Sequence, residues 1–287
     1  MDPLFIYSII ALGGMGLLFG AALAFAAKKF AVQIDPKVEQ ILNALPGVNC
    51  GACGRPGCAA YAEAVASGAL PPNKCAPGGA DVIAVLSHIM GVDAVALDPK
   101  VAVVQCQGGK AEAADKFIYT GLQDCTAAAL IGGGPKGCSY GCLGFGSCVR
   151  ACPFDAMYMN ENGLPVVIEE KCTACNICVV TCPRGIMALI PRSQKIFLAC
   201  VSLDKLKAVK SVCTVGCYAC KICSSPKVSP DGAIIQEGNL PEIKDINSPS
   251  LYTALEKCPT KSYVLRGEKP AEPAQVVAEA INNNNSL

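Results

Sequence analysis

The sequence predicts an α+β protein with a single N-terminal transmembrane helix, followed by small domains that depend on cysteine more than on a large apolar core. Three observations lead to this fold class. The first residues form one long uncharged apolar segment, the 287 residues include 20 Cys, and only 6% of residues are aromatic. This cysteine content is far above ordinary usage, and so few aromatic side chains leave little material for a conventional core.

The apolar segment runs from Pro3 to Ala27 without a charged residue. As a helix it would be about 37 Å long, which is enough to cross a bilayer. Lys28 and Lys29 follow it directly. The positive-inside rule therefore places the remaining chain on the cytoplasmic side of the inner membrane, with a single pass. The alternative is a cleaved signal peptide, which the missing positively charged n-region disfavours.

Beyond the anchor, composition and cysteine density divide the chain into further parts. A helix is predicted to begin at Asp35-Pro36, where Asp can cap and Pro can start it, and to end before Pro46. A second helix is predicted from Asp81 to Met90 and a strand from Val101 to Gln105. The predicted domains are the anchor (1–29), a small helical N-terminal domain (30–92), a multi-cluster domain (93–267) with a core at about 135–191, and a flexible tail (268–287).

Three chemistries could use so many cysteines. Disulfides require an oxidising compartment, and zinc sites usually combine Cys with His, of which the chain has only His88. A 4Fe–4S cluster takes four thiolates, so 20 Cys divided by four gives five clusters with none left over. Iron–sulfur clusters are therefore the favoured interpretation.

The most specific motif is Cys172-x2-Cys175-x2-Cys178-x3-Cys182-Pro183, the run found in bacterial ferredoxins. Three of its cysteines hold one cluster, and the Cys before Pro serves a neighbouring cluster. Zinc sites normally take two Cys from each loop, so the third Cys disfavours zinc.

A looser run with the same Cys-Pro ending lies upstream and makes a two-cluster ferredoxin-like domain. We expect the two halves to exchange their last cysteines. The predicted sets are Cys138, Cys142, Cys148 and Cys182 for one cluster, and Cys172, Cys175, Cys178 and Cys152 for the other.

A further ferredoxin-like region follows toward the C-terminus. Its three closely spaced cysteines and a distant Cys-Pro predict a cluster on Cys217, Cys220, Cys223 and Cys258. Four scattered cysteines remain as candidates for a fifth cluster, with buried free thiols or zinc as the alternative: Cys106, Cys125, Cys200 and Cys213.

The N-terminal domain has its own compact set, Cys50-x2-Cys53-x4-Cys58-x16-Cys75. No Cys-Pro closes this run, so it is not of the ferredoxin type. Four Cys within 26 residues nevertheless suit one self-contained cluster, with zinc as the alternative.

Other chemistries find little support. The Gly-rich segment 132–137 lacks the Lys-Ser/Thr ending of a phosphate-binding loop, and no dinucleotide fingerprint is visible. His88 lies in an apolar helix and is expected to be structural. The net charge of +1 gives no indication of a nucleic-acid partner, and we expect none.

The order of these parts, together with the segment Cys138-Ser-Tyr-Gly-Cys142-Leu-Gly-Phe-Gly, resembles the B subunit of the Rnf complex, the ion-translocating ferredoxin:NAD oxidoreductase. The resemblance covers nearly the whole chain and is closest to a longer, cluster-rich form. It implies an electron-transfer subunit that takes electrons from reduced ferredoxin and passes them to other membrane and peripheral subunits, which reduce NAD and pump Na+ or H+.

The resemblance also implies what this subunit lacks. Flavin in the family is attached to threonine in other subunits, and the nearest match here, Ser67-Gly-Ala-Leu70, has no acceptor Thr. We therefore expect no covalent FMN, no NAD site and no substrate-transforming residue. The alternative function is a non-pumping membrane-anchored relay that serves a redox-sensing regulator or another reductase.

Basic residues concentrate near the C-terminal cysteine run. Residues 184–227 contain eight Lys or Arg and one Asp, a balance of +7, so the rest of the chain must sum to −6. Ferredoxins are usually acidic, and complementary charge raises the rate of encounter. The predicted docking residues for soluble ferredoxin are Arg184, Lys205, Lys207 and Lys210, the last three on a surface helix.

Overall fold

A computed structural model describes residues 3–30, 35–94 and 98–267. Its first element is helix α1 (Pro3–Lys29), whose segment Ile9–Lys29 is long and apolar enough to cross a membrane. The side chains described along α1 are almost all exposed, including Leu17 at 78% and Leu18 at 74%. An apolar helix with an uncovered surface is suited to lipid rather than to water.

Three helices form the N-terminal domain: α2 (Pro36–Ala44), α3 (Cys58–Ala66) and α4 (Gly79–Met90). The predicted start of α2 is confirmed, because the Asp35 carboxylate accepts a hydrogen bond of 2.8 Å from the Lys37 amide. The predicted helix over Asp81–Met90 is confirmed by α4. Ile41, Tyr61 and Leu86 are almost fully buried where the three helices meet.

A first α+β unit spans residues 100–191. It contains β1 (Lys100–Val104), α5 (Cys125–Leu130), α6 (Ser147–Arg150), β2 (Met157–Met159), β3 (Pro165–Val167), α7 (Ile177–Thr181) and β4 (Met187–Pro191). The predicted strand near Val101–Gln105 is confirmed by β1. Strands β1 and β4 pair antiparallel, with Val104 opposite Met187, and β2 pairs antiparallel with β3.

A second unit spans residues 196–265. It contains β5 (Ile196–Leu198), α8 (Leu206–Val212), β6 (Ile234–Ile235), β7 (Glu242–Ile243), α9 (Ser250–Lys257) and β8 (Tyr263–Leu265). Strands β5 and β8 pair antiparallel, with Leu198 opposite Tyr263, and β6 pairs with β7. The predicted surface helix near Lys205–Lys210 is confirmed by α8. The predicted tail lies outside the described residues.

The two units pack through these paired strands. Val103 of β1, Phe197 of β5 and Ala199 form a buried apolar contact, which Ala188 of β4 and Val264 of β8 extend. Each sheet has only two strands, a size that is marginal on its own, so the units depend on what binds inside them.

Candidate metal centres

Site 1 lies in the N-terminal domain. Its four thiols line one cavity: Cys50, Cys53, Cys58 and Cys75. Asn49 shapes the loop, because its side-chain oxygen accepts a hydrogen bond of 2.8 Å from the Cys58 amide at the start of α3. Tyr61 closes the inner side, where its hydroxyl donates to the carbonyl oxygen of Pro71 and accepts from the Lys74 amide. The four predicted residues are therefore brought together.

Site 3 lies in the first unit around the ferredoxin run. Its thiols line one cavity: Cys152, Cys172, Cys175 and Cys178. Cys152 comes from the other half of the unit, so the predicted exchange of the Cys before Pro is reproduced in the geometry. The Ala102 amide of β1 also donates a hydrogen bond of 3.4 Å to the Cys172 sulfur.

Site 2 differs from the predicted set. The thiols that line its cavity are those of Cys125, Cys142, Cys148 and Cys182. The structure does not bring Cys138 to this cavity and places Cys125 there instead. The grouping of Cys138 with Cys142, Cys148 and Cys182, and the grouping of Cys125 with the fifth set, are revised accordingly.

The position of Cys125 has a local cause. Asp124 caps α5 by accepting hydrogen bonds from the amides of Thr126 and Ala127, which places Cys125 at the first position of the helix. The Ser147 hydroxyl accepts a hydrogen bond of 2.8 Å from the Cys125 amide and donates one of 2.7 Å to Asp124. Because Ser147 precedes Cys148, this network fixes the two thiols beside each other. These hydrogen bonds hold the pKa of Asp124 below its usual range.

Sequence reasoning missed Cys125 because the ferredoxin loop is degenerate in the first half. In the run beginning at Cys172, Ala174 and Asn176 adopt positive φ on either side of Cys175. In the loop from Cys142 to Cys148 the same places are taken by Gly144 and Gly146, also at positive φ. Phe145 therefore stands where the middle cysteine would be, and Cys125 supplies the missing thiol from outside the loop.

Site 4 lies in the second unit. Its four thiols line one cavity: Cys217, Cys220, Cys223 and Cys258. Its loop repeats the same backbone, with Ala219 and Lys221 at positive φ around Cys220. This shared conformation supports the ferredoxin-like prediction for the C-terminal run.

Hydrogen bonds prepare the fourth thiol of site 4. Cys258 ends α9, and its sulfur accepts a hydrogen bond of 3.3 Å from the Ser262 amide. Burial acts to raise the pKa of Cys258, but the hydrogen bonds from Thr260 and Ser262 outweigh it and lower that pKa. At the other end of α9, Asp231 accepts hydrogen bonds from the hydroxyls of Ser248 and Ser250, and these bonds anchor the start of the helix.

The remaining thiols lie between the two units: Cys106, Cys138, Cys200 and Cys213. Burial raises the pKa of Cys106, and the charges of Cys200 and Cys138 add to that rise. Burial likewise raises the pKa of Cys200 and of Cys213, each with a contribution from the charge of Cys138. Cys138 of the first unit therefore acts on both Cys200 and Cys213 of the second unit, and Cys106 is affected by Cys200.

The donor sets fit iron–sulfur clusters. Within residues 3–30, 35–94 and 98–267, no three His, Cys, Asp or Glu side chains converge closely enough to hold one metal ion. A zinc ion needs sulfur at about 2.3 Å. The thiols of sites 1 to 4 instead stand around a pocket, with four thiols lining each one. Four thiols around such a space suit a polynuclear cluster bound by Cys alone.

The sites are close enough to influence one another. Burial raises the pKa of Cys178 in site 3 to about 12, with a further contribution from the charge of Cys148 in site 2. Burial also raises the pKa of Cys175, and the charge of Cys50 in site 1 adds to that rise. Cys148 and Cys178 also belong to one buried cluster of side chains, so site 3 lies beside site 2.

The predicted docking residues separate into two groups. Lys205, Lys207 and Lys210 are exposed on or beside α8. The Lys210 ammonium lies 5.8 Å from the centre of the Tyr218 ring, next to Cys217 of site 4. Arg184 is different, because its half-buried guanidinium donates hydrogen bonds to the carbonyl oxygens of Ser139 and Gly133. Arg184 is held in the fold and does not belong to the lysine surface.

Comparison with known proteins gives two matches to family models. Residues 45–77, which contain site 1, match the FeS family of Fe-S cluster domains. Residues 165–187, which contain the ferredoxin run, match the 4Fe-4S binding domain family.

Several curated proteins are similar over most of the chain. The B subunit of the Na+-translocating ferredoxin:NAD+ oxidoreductase complex of Acetobacterium woodii is 44% identical, covering 86% of this chain and 74% of that protein. The B subunit of the ion-translocating oxidoreductase complex of Methanosarcina acetivorans is 38% identical, covering 93% and 100%. The B subunit of the proton-translocating ferredoxin:NAD+ oxidoreductase complex of Clostridium ljungdahlii is 43% identical, covering 86% and 87%.

Proposed function

The chain belongs to the family of B subunits of ion-translocating ferredoxin:NAD+ oxidoreductase complexes, and from this we propose that it accepts electrons from reduced ferredoxin and relays them to other subunits. It is an electron-transfer subunit of such a membrane complex, which places it among the oxidoreductases. The observation that supports the relay is the set of four sites, each with four thiols lining one pocket, distributed over the N-terminal domain and both α+β units.

The ligand sets follow the geometry. Each of the four cavities is assigned one 4Fe–4S cluster, held by the thiols that line it in sites 1, 2, 3 and 4. When bound, such a cluster accepts and donates single electrons at a potential set by charge, burial and hydrogen bonds to its sulfurs. We assign no covalent flavin and no NAD site to this chain.

The residues around each site hold the thiols in place and limit water. Leu143, Met159 and Ile186 line site 2, while Leu189 and Met157 line site 3. Backbone amides also point at ligand sulfurs, as from Ala102 to Cys172 and from Ser262 to Cys258. Such hydrogen bonds stabilise the more negative, reduced state and raise the potential of the site they serve.

The entry point for electrons is assigned to site 4. Cys220 is exposed, whereas the other cysteines, all of which lie in the described residues, are buried or half-buried. Three apolar side chains of the same unit are also exposed, namely Leu203 at 55%, Leu206 at 47% and Ile222 at 41%. With the lysines of α8 they form a mixed apolar and basic surface, which suits brief docking of a small acidic protein.

Changing Lys205, Lys207 and Lys210 together to Glu is expected to slow reduction by ferredoxin about 10-fold or more at low ionic strength. The steering charge is screened over about 8 Å at physiological salt, so the salt dependence should also flatten. Stopped-flow absorbance with reduced ferredoxin as the donor measures both effects.

The matched control changes three exposed lysines elsewhere to Glu, namely Lys37, Lys100 and Lys244, which alters net charge equally. This control variant should be reduced by ferredoxin at a rate close to that of the wild type. With a small uncharged reductant in place of ferredoxin, the α8 variant should also be reduced at the wild-type rate. If the control variant slows reduction as much as the α8 variant, overall charge and not a docking surface is responsible.

The orientation in the membrane gives a second expected result. A fluorescent protein fused after Leu287 should fluoresce and an alkaline phosphatase fused there should be inactive, because Lys28 and Lys29 hold that side in the cytoplasm. The two fusions are compared in whole cells at equal expression. An active phosphatase fusion would reverse the assigned orientation.

A further inference from the structure

The two α+β units are repeats of one plan. Strand β1 is followed after one residue by Cys106, and strand β5 is followed after one residue by Cys200. Each first strand pairs with a strand that follows a Cys-Pro, with Val104 opposite Met187 and Leu198 opposite Tyr263. Both Met187 and Tyr263 lie five residues beyond their Cys-Pro cysteine, Cys182 and Cys258.

The loops before sites 2 and 4 also correspond. Cys138-Ser-Tyr-Gly-Cys142 in the first unit has the form of Cys213-Thr-Val-Gly-Cys217 in the second. The four thiols left over by sites 1 to 4 are thus two equivalent pairs. Cys106 and Cys138 come from the first unit, and Cys200 and Cys213 come from the second.

One contact inside each unit is equivalent as well. The Cys142 amide donates a hydrogen bond of 3.4 Å to the Cys106 sulfur. The Cys217 amide donates one of 3.3 Å to the Cys200 sulfur. Each pair of thiols is therefore in direct contact with a cysteine of the neighbouring site, site 2 in one unit and site 4 in the other.

Short polar and apolar contacts bring the two pairs together. Ala113 forms an isolated antiparallel bridge with Cys213, and the Gly137 amide donates 2.8 Å to the carbonyl oxygen of Ala114. Segment 113–114 thus joins the residues before Cys138 to those around Cys213. A Cβ on Gly108 would lie 3.1 Å from the Cys213 sulfur and 3.9 Å from the Cys106 sulfur, so these two thiols border the same glycine.

We propose that Cys106, Cys138, Cys200 and Cys213 bind a fifth 4Fe–4S cluster, the junction site, which connects site 4 to site 2 across the boundary between the units. The direction of electron flow in this assignment rests on the proposed function. A cluster held at the junction site would take up one electron from a reduced cluster at site 4 and give it up to an oxidised cluster at site 2, with no proton transferred and no bond broken. The order of sites is then 4, junction, 2, 3 and 1.

The experiment uses the full chain, purified without oxygen, and measures iron and acid-labile sulfide per chain. The wild type should hold about 20 iron atoms, at four in each of five clusters. Cys138→Ala and Cys200→Ala should each lose about four. Since both thiols serve one site, the double variant should also lose about four and not eight.

The matched control is Cys125→Ala, only 13 positions before Cys138. It should lose about four iron atoms from site 2, and combined with Cys138→Ala it should lose about eight. Electron paramagnetic resonance of the reduced protein should show a different missing signal for each single variant. A loss of eight in the Cys138 and Cys200 double variant, or full iron in either single variant, would overturn the junction site.

Gly108→Ala keeps every thiol and tests the site if the cysteine variants do not fold. The added methyl group should alter the resonance signal or midpoint potential of one centre, the one missing in Cys138→Ala; an unchanged set of signals counts against the assignment. Failure of the proposed function would look different, because iron content would be normal while ferredoxin reduced none of the centres.

Discussion

When iron is removed under anaerobic conditions, residues 98–267 are expected to lose their stable fold and with it their cooperative unfolding transition. The apolar core there is divided among small groups that include the thiols themselves, such as Cys148 and Cys178 beside Met157 and Met187. Its sheets have two strands each, and such sheets are marginally stable in isolation. Metal binding supplies about 10–16 kcal/mol of folding free energy in small zinc domains, and we expect ligation to dominate here in the same way.

The measurement is near-ultraviolet circular dichroism and a thermal scan, before and after treatment with a chelator. The N-terminal domain is the internal comparison, since its core consists mainly of apolar side chains from three helices, among them Ile41, Tyr61 and Leu86, with Cys75 as its one buried thiol. Helical signal should therefore fall only partly, while the sharp transition disappears and returns on reconstitution with iron and sulfide. A chelated protein that still melts sharply at an unchanged temperature would show that packing alone maintains the fold.

Exchange of cysteines between the halves of the first unit gives the second large effect. Cys152→Ala should remove the cluster of site 3, whose other thiols come from the loop that begins at Cys172. It should spare the cluster of site 2, although Cys148 of site 2 is closer to Cys152 in sequence. The reason is that Cys152 follows α6 but its thiol lies on the cavity of site 3.

The reciprocal variant, Cys182→Ala, should remove the cluster of site 2 and spare site 3, because Cys182 lies on the site 2 cavity. Each variant is thus the matched control for the other, with about four iron atoms lost in each case. Resonance spectra of the two reduced variants should lack different signals. If Cys152→Ala instead removes the signal that Cys182→Ala is expected to remove, each half keeps its own last cysteine.

Much of this organisation could be predicted from short-range patterns. The apolar helix, the ferredoxin run and the Asp35-Pro36 helix start are local signals, and each corresponds to an observed element. Runs of closely spaced cysteines that end in Cys-Pro also predicted metal sites, and thiols from these runs do line common cavities.

The sequence-based assignment of Cys125 and Cys138 to ligand sets differs from the structure, and the reason is physical. Counting cysteines back from Cys148 treats them as one run, although the loop conformation puts Phe145 in the place of a ligand. The thiol that replaces it comes from another helix, positioned by Asp124 and Ser147 through side-chain hydrogen bonds that spacing does not encode. The repeat of Cys138-Ser-Tyr-Gly-Cys142 as Cys213-Thr-Val-Gly-Cys217 was a usable signal that pairwise spacing overlooked.

The strand contact between the units has an evolutionary consequence. Val103 meets Phe197, its counterpart in the other unit, and Ala188 and Val264, also counterparts, border the same contact. Contacts between like surfaces are what a two-fold homodimer makes. A shorter ancestral protein with one unit would carry two of the four junction thiols, and only association with its own copy would complete the set. Gene duplication would then have fused a symmetric dimer into one chain, after which the halves could diverge, one gaining a second ferredoxin loop and the other an exposed docking surface.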